Sequence, residues 1–404
     1  MKNNPKGNRV LIRAINRSTV LNTIKNLGPI SRKDIAQLTG LSAATITGIT
    51  AVILKEKLIL EKFEGDSSGG RKPILLTINP RGGYVIGLKL SERHITAALT
   101  DLDASILQST TTEFSSQRVE NIIDCIVQSA DHLISKSKIQ KGKLLGIGIG
   151  LAGIVDSRNG IIRNSPIFGW KDVDLASQIH KKLGIPVFID NDVNTLTIAE
   201  QWFGKGQGIN NFLTVTIGRG VGLGIVVNGQ IYHGHSGGAG EFGHIVINPE
   251  GPLCDCGKHG CLESYISDPG LIAIAKDLYI SGNLAQDVNH ISELLQLADN
   301  GNQVAKEIFS GAGSILGRGL ADLINLFNPE LIIVSGEGMR ASHLIMDSMQ
   351  SAINEYVMPG LRGSTNLMID TWADDAWARG AAGLVLQDFF ESPISRKEYS
   401  YSND

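Results

Sequence analysis

The stretch FLTVTIGRGVGLGIVVNGQIYH, residues 212–233, decides the fold. It predicts three short strands separated by glycine-rich turns, at 212–217, 222–227 and 230–233. A similar order of three strands, a helix and a strand occurs earlier, at 84–90, 94–100, 105–111, 119–135 and 144–150. The later copy continues through helices to a strand at 331–334 and a last helix at 375–389. Two such halves predict a duplicated α/β fold with a ligand cleft between them.

The composition is that of a globular protein. The chain has 404 residues, of which 42% are hydrophobic and 19% are charged, so it can bury a core in two or three lobes. No run of 18 uncharged apolar residues occurs, and the first ten residues contain no apolar signal core. We therefore expect a cytoplasmic protein without membrane insertion.

Charge is distributed unevenly along the chain. Residues 1–80 contain 13 Lys and Arg against 5 Asp and Glu, a net charge of +8, whereas the remainder has a net charge of −11. Such asymmetry favours a polyanionic partner for the first segment, and nucleic acid is the commonest one. The alternative is a basic face that is merely solvated.

The basic segment has the pattern of a winged helix-turn-helix. A helix over 17–27 ends at Gly28-Pro29, and Ser31 and Ser42 can cap the second and third helices. Two strands, 58–63 and 74–78, follow and flank a glycine-containing loop that fits a wing. The third helix and the loop supply the predicted contacts to double-stranded operator DNA, which are Ser42, Ala43, Ala44, Thr47, Arg71 and Lys72. A protein-interaction module with an ordinary hairpin is the alternative.

Three of the four cysteines fall within eight residues, which indicates a metal site and not a disulfide framework. Cys254, Cys256 and Cys261 supply three thiolates, and His244 lies ten residues upstream, a set suited to tetrahedral Zn²⁺. Because all four positions are filled, we predict a structural zinc. Reduced cysteines buried in a tight turn are the alternative.

Five motifs together resemble those of the ROK family, which joins repressors of sugar metabolism to sugar kinases. They are GLAGIVD (150–156), IDNDVN (189–194), TIGRGVGLGIVVNG (216–229), GGAGEFGHIVI (237–247) and CDCGKHGCLE (254–263). The resemblance implies a duplicated actin/hexokinase-like ATPase fold and covers nearly the whole chain. It predicts three domains: a winged helix-turn-helix at 1–80, a first lobe at 81–204, and a second lobe at 205–404 with the zinc site and an oligomerisation surface.

The resemblance also implies a sugar site. The predicted sugar-binding residues, all polar side chains that can bind adjacent hydroxyls, are Asn164, Asn191, Asp192, Glu241, His244 and Glu263. In the family's kinases the aspartate that matches Asp192 is the general base. Taken singly, each carboxylate is more typical of a surface charge than of a binding site. A ring nitrogen of His244 that does not bind the metal is free for a sugar hydroxyl.

The phosphate site departs from the kinase pattern. ROK kinases carry an Asp-x-Gly-Gly-Thr-like turn after the first strand, but residues 87–93 read GLKLSER here. Arg219 replaces a small hydroxyl residue, and Gly336-Glu337-Gly338 replaces a triple glycine. We therefore predict a protein that is not an enzyme. A ROK sugar kinase with a DNA-binding head is the alternative.

The sequence thus predicts a sugar-responsive repressor that binds a palindromic operator as a homodimer or homotetramer. Its effector belongs to the glucose, xylose or amino-sugar class. Control by a transporter protein partner in place of a sugar is a further alternative.

Overall fold

The computed structural model describes residues 9–62, 73–370 and 374–390. Its contacts divide the chain into two compact units, Met1–Thr195 with Trp377–Asp404, and Leu196–Ala376. The predicted boundary at 204/205 therefore differs from the division by contacts, and the described residues 377–390 group with the first unit, not with the second lobe. The functional assignment of the three domains stays a prediction.

The first unit begins with a small head of three helices and three short strands. The helices are α1 (Arg9–Leu27), α2 (Arg32–Thr39) and α3 (Ala43–Lys55), and the strands are β1 (Ile30–Ser31), β2 (Ile59–Lys62) and β3 (Leu75–Ile78). The strands form an antiparallel sheet in the order β1-β3-β2. No single described helix is long and apolar enough to cross a membrane, and α2 and α3 pass that test only jointly, as a pair bent by 119°.

Capping residues fix where α2 and α3 begin and where α2 ends. Ser31 Oγ accepts the N–H of Asp34, and Ser42 Oγ accepts the N–H of Thr45, as the sequence predicts. Gly40 has φ 70°, a left-handed conformation that ends α2 and that residues with a side chain rarely adopt. The first helix is longer than predicted, because it begins at Arg9 and not at Arg17.

A five-stranded sheet forms the first lobe. Its elements, in chain order, are β4 (Tyr84–Leu90), β5 (His94–Asp101), β6 (Ile106–Glu113), α4 (Val119–Ser137), β7 (Leu144–Leu151), β8 (Ile154–Asp156), β9 (Ile161–Ser165), β10 (Trp170–Asp174), α5 (Leu175–Leu183), β11 (Val187–Asn191) and α6 (Asp192–Phe203). The strand order is β11-β7-β4-β5-β6, with β4, β5 and β6 antiparallel and β7 and β11 parallel to β4. Strands β8, β9 and β10 form a separate small sheet.

The second unit repeats this topology. Its elements are β12 (Phe212–Ile217), β13 (Val221–Val227), β14 (Gln230–Ile231), α7 (Glu263–Ile266), α8 (Asp268–Ile280), α9 (Ile291–Asp299), α10 (Gln303–Phe327), β15 (Leu331–Ser335), α11 (Ser342–Tyr356) and β16 (Asn366–Ile369). The order is β14-β13-β12-β15-β16, with the first three strands in sequence antiparallel and the last two parallel to β12. The predicted duplication is confirmed, since both sheets share one strand order and one set of directions.

The last helix, α12 (Asp374–Phe390), packs on the sheet of the first lobe. A Cβ on Gly87 in β4 would overlap the carbonyl oxygen of Ala378, and one on Gly148 in β7 would overlap that of Ala381. The helix backbone therefore approaches both strands more closely than any side chain allows.

Candidate functional site

Four side chains of the second unit converge on one point in the loop after β14. The ligand atoms of His244, Cys254, Cys256 and Cys261 all lie within 4.8 Å of one another. His244 Nδ1 is 3.6 Å from Cys254 Sγ, and Cys256 Sγ is 3.6 Å from Cys261 Sγ. The structure thus brings together all four predicted ligands, and this group can hold a metal ion.

Backbone turns and burial shape this cluster. Gly260 has φ 68°, and a Cβ there would overlap the carbonyl oxygen of Asn248. Burial, followed by hydrogen bonding with Cys256, raises the pKa of the Cys261 thiol to about 12. A cation bound to this sulfur would oppose that shift and favour the thiolate.

Two carboxylates of the second unit lie beside the imidazole of His244. Glu241 Oε2 is 3.8 Å from Nε2, whereas Nδ1 faces the cysteines and is 3.9 Å from Glu263 Oε1. The ring therefore presents one nitrogen to the cluster and the other to Glu241. The three predicted sugar-binding residues of this unit form one group, and His244 belongs both to this group and to the cysteine cluster.

The glycine turn between β12 and β13 orients Glu263. The N–H of Val221 donates to Glu263 Oε2 at 2.8 Å, and a Cβ on Gly220 would lie 2.9 Å from the same oxygen. The sequence does not single out Val221, because its backbone N–H is the donor and every residue except proline has one. The glycine pattern at 218–224 was the available signal, since it marks a close backbone approach.

The three predicted sugar-binding residues of the first unit lie at strand ends. Asn164 is exposed in β9, Asn191 ends β11, and Asp192 begins α6. Asn191 Nδ2 donates to the carbonyl oxygen of Gly153 at 3.1 Å, and a Cβ on Gly153 would overlap the carbonyl oxygen of Asn164. The backbone of Gly153 thus connects the turn that carries Asn191 with the strand that carries Asn164.

Asp190 supports this turn, and sequence reasoning did not select it. Its side chain is buried, with the whole residue 1% exposed, and its Oδ1 accepts the N–H of Asn191 at 2.7 Å and the amide of Asn194 at 2.8 Å. Asn191 Oδ1 in turn accepts the N–H of Val193 at 2.8 Å. Strand β11 is buried continuously from Val187 to Asp190, so the hydrophobic run before Asp190 was the signal for a buried, structural carboxylate.

The turn at 218–220 is surrounded by groups of its own unit. A Cβ on Gly218 would overlap the carboxylate of Glu337, and the carbonyl oxygen of Gly218 accepts the N–H of Asp268 at 2.7 Å. Asp268 also forms an ion pair with Arg340, whose guanidinium donates to the carbonyl oxygen of Glu337. The carboxylate of Glu337 therefore lies against this turn.

The head presents a small, exposed surface at the start of α3. Ser42, Ala43, Ala44 and Thr47 are all exposed, whereas Arg71 and Lys72 lie outside the described residues. Thr47 Oγ1 donates to the carbonyl oxygen of Ala43 at 2.8 Å, so its methyl group and its lone pairs remain available.

Two basic residues of the head stabilise the head itself. Arg17 pairs with Glu56 at 2.6 Å, and Arg32 pairs with Glu61 at 2.7 Å. The exposed Lys33, which lies on α2, has no ion pair among the described residues.

The chain is similar to known proteins over most of its length. A family model described as ROK family matches residues 85–388. The chain belongs to the ROK family. It is 32% identical to the xylose repressor of Bacillus spizizenii over 385 residues, which cover 95% of this chain and 98% of that protein. It is 30% identical to the DNA-binding transcriptional dual regulator NagC of Escherichia coli K12, over 94% of each protein.

Among solved structures, a ROK family transcriptional regulator that is a homologue of the E. coli MLC protein has a TM-score of 0.84. Its sequence is 29% identical, and the match covers 94% of this chain and 97% of that one. ROK family sugar kinases also match, but a solved glucokinase covers only 75% of this chain. Family membership and the two matching sheets support the predicted actin/hexokinase-like fold.

Proposed function

We propose that the chain is a sugar-responsive transcriptional repressor whose affinity for operator DNA changes when a sugar binds. The observation that carries this proposal is that the similarity to the xylose repressor spans 95% of the chain and so includes the head. Similarity to kinases stops near three quarters of the chain. A repressor needs both the head and the two lobes that follow it, whereas a sugar kinase needs only the two lobes.

The proposed sugar-binding residues form two groups of polar side chains, and each group lies within one unit. Asn164, Asn191 and Asp192 supply an amide and carboxylate set, and Glu241, His244 and Glu263 supply a second set that is fixed by the metal cluster and by Val221. Planar groups of this kind bind adjacent hydroxyls through paired hydrogen bonds. Because relatives are named for xylose and for N-acetylglucosamine, D-xylose and N-acetylglucosamine lead the panel of sugars to test, followed by glucose.

We propose that the ion held by the cluster is zinc. Tetrahedral zinc with ordinary bond lengths separates two sulfur ligands by about 3.8 Å and a sulfur from a nitrogen by about 3.6 Å. Two of the six separations here are close to these values, 3.6 Å between Cys256 Sγ and Cys261 Sγ and 3.6 Å between Cys254 Sγ and His244 Nδ1, and all six are within 4.8 Å. Zinc would neutralise the thiolates and fix the loop that precedes Glu263.

Metal analysis of the purified protein tests this assignment. We expect about one zinc per chain in the wild type and almost none in Cys261→Ala, because three ligands rarely hold a structural zinc. Cys125→Ala is the matched control, since Cys125 lies on α4 and is not in the cluster. Equal zinc content in all three proteins would overturn the assignment.

We propose that the head is a winged helix-turn-helix and that α3 enters the major groove. The 119° bend between α2 and α3 and the sheet behind them support this reading. The exposed Ser42, Ala43, Ala44 and Thr47 would face base edges, and Arg71 and Lys72 would contact phosphates. Two-fold symmetric binding of half-sites would require a homodimer or homotetramer.

The competing function is sugar phosphorylation. Lys89, Ser91 and Glu92 lie in the stretch where ROK kinases carry their phosphate turn, and Glu337 lies against Gly218. The negative charges of Glu92 and Glu337, together with the missing glycines, favour a protein without kinase activity. Purified protein incubated with ATP and the sugar panel is expected to form no sugar phosphate, and turnover that depends on Asp192 would overturn the repressor proposal.

A further inference from the structure

Lys89 is a buried cation in an otherwise apolar strand. It is the penultimate residue of β4 and only 9% of its surface is exposed. Its Nζ lies 4.3 Å from the centre of the Trp377 ring, which is itself buried. Burying an ammonium group is costly unless a partner compensates, and the face of an indole is the best aromatic partner for a cation.

Trp377 lies where the chain returns from the second unit to the first. The chain passes from the second unit back to the first between Ala376 and Trp377, so Trp377 is the first residue of the returning segment. Lys89 therefore holds the chain at the point where it re-enters the first unit.

Beyond Trp377, α12 has little freedom to slide. The backbone of Ala378 packs against Gly87, and the backbone of Ala381 packs against Gly148. Both contacts are so close that neither glycine has room for a Cβ. A shift of α12 along the sheet would bring other side chains over these two glycines, so its register is set by packing.

The other end of α12 contacts the head. The carbonyl oxygen of Phe390 accepts the side-chain amide of Asn22 at 2.6 Å and the hydroxyl of Ser18 at 3.4 Å. Lys25 Nζ lies 5.0 Å from the centre of the Phe390 ring. A helix of 17 residues is about 25 Å long, so α12 joins the re-entry point of the chain to helix α1.

We infer that Lys89 is a positioning residue that fixes α12 through Trp377, so that α12 transmits changes at the re-entry point to the DNA-binding head. This inference rests on the proposed function for its DNA readout. Lys89 contacts Trp377 near the start of α12, so its substitution should alter the coupling between sugar and operator more than the affinity for sugar.

The test compares Lys89→Met with Lys89→Arg, which keeps a cation. Hydrogen exchange on the free protein is expected to be about threefold or more faster at residues 18–25 in Lys89→Met and unchanged in Lys89→Arg. The change in operator affinity caused by D-xylose or N-acetylglucosamine should fall by about threefold or more in Lys89→Met, with sugar affinity within about twofold of wild type.

Two further variants keep the result decisive. Trp377→Phe, which retains a ring, should give the same effects more weakly, and it replaces Lys89→Met if that variant fails to fold. The double variant Asn22→Leu with Lys89→Met should exchange no faster at residues 18–25 than the more severe of the two single variants, because both substitutions act through α12. Wild-type exchange at 18–25 in Lys89→Met overturns the inference. Absence of operator binding by the wild type overturns the proposed function instead, and the exchange measurement still decides the role of Lys89.

Discussion

At the scale of single residues, the surroundings of each group decide which chemistry it can perform. His244 lies between the cysteine cluster and Glu241, so its two nitrogens face different partners. The sequence was sufficient to select His244 and the three cysteines, because ligand types at short spacing are visible in one dimension. It was not sufficient for Asp190 or for the N–H of Val221, whose roles depend on neighbours that only folding brings close.

Lys25 offers a test of burial at the junction between the head and α12. Desolvation lowers the pKa of Lys25 to about 7 from 10.5, and nearby Asp103 only partly offsets this. Between pH 7 and pH 10.5 the unfolded chain therefore holds a proton that the folded chain has lost, so this residue makes stability rise with pH in that window. Lys25→Met removes the effect.

We accordingly expect the stability advantage of Lys25→Met over wild type to be largest at pH 7 and to shrink towards pH 10. Urea unfolding of the full chain at the two pH values measures it. Lys33→Met, at an exposed position of α2, is the control and should show no such trend. A pH-independent difference for Lys25→Met would contradict the assigned burial.

At the scale of elements, close backbone packing explains the glycines of β4 and β7. The sequence predicts both strands and the last helix within one or two residues, because their hydrophobic patterns are local. It does not reveal that α12 returns to the first unit, because the contacts of α12 with β4 and β7 join residues that are far apart in the sequence, such as Gly87 and Ala378.

Gly148→Ala tests the packing of α12. The new Cβ would overlap the carbonyl oxygen of Ala381, so we expect a loss of about 3 kcal/mol in the free energy of unfolding. Gly142→Ala is the matched control in the same lobe, because nothing lies within 4 Å of its Cβ position, and it should change stability by less than about 0.5 kcal/mol. Equal effects, measured by urea unfolding, would contradict the backbone contact.

At the scale of the whole molecule, the chain combines a basic head with a duplicated body. The net charge of +8 in residues 1–80 and the repeated strand order were both readable from the sequence. The identity of the sugar was not, because the same amides and carboxylates bind hydroxyls of several sugars. A repressor of this design requires that sugar and operator favour different states by a coupling of about 1–3 kcal/mol.

The most direct measurement is the operator affinity of the full chain, with and without each sugar of the panel in free and phosphorylated form. The operator is first obtained by selection from randomised DNA. We predict that one sugar changes the operator Kd by about fivefold or more, and that Asp192→Asn binds the operator normally but no longer responds to that sugar. Failure to select any DNA, or an operator Kd that no sugar changes, would contradict the account.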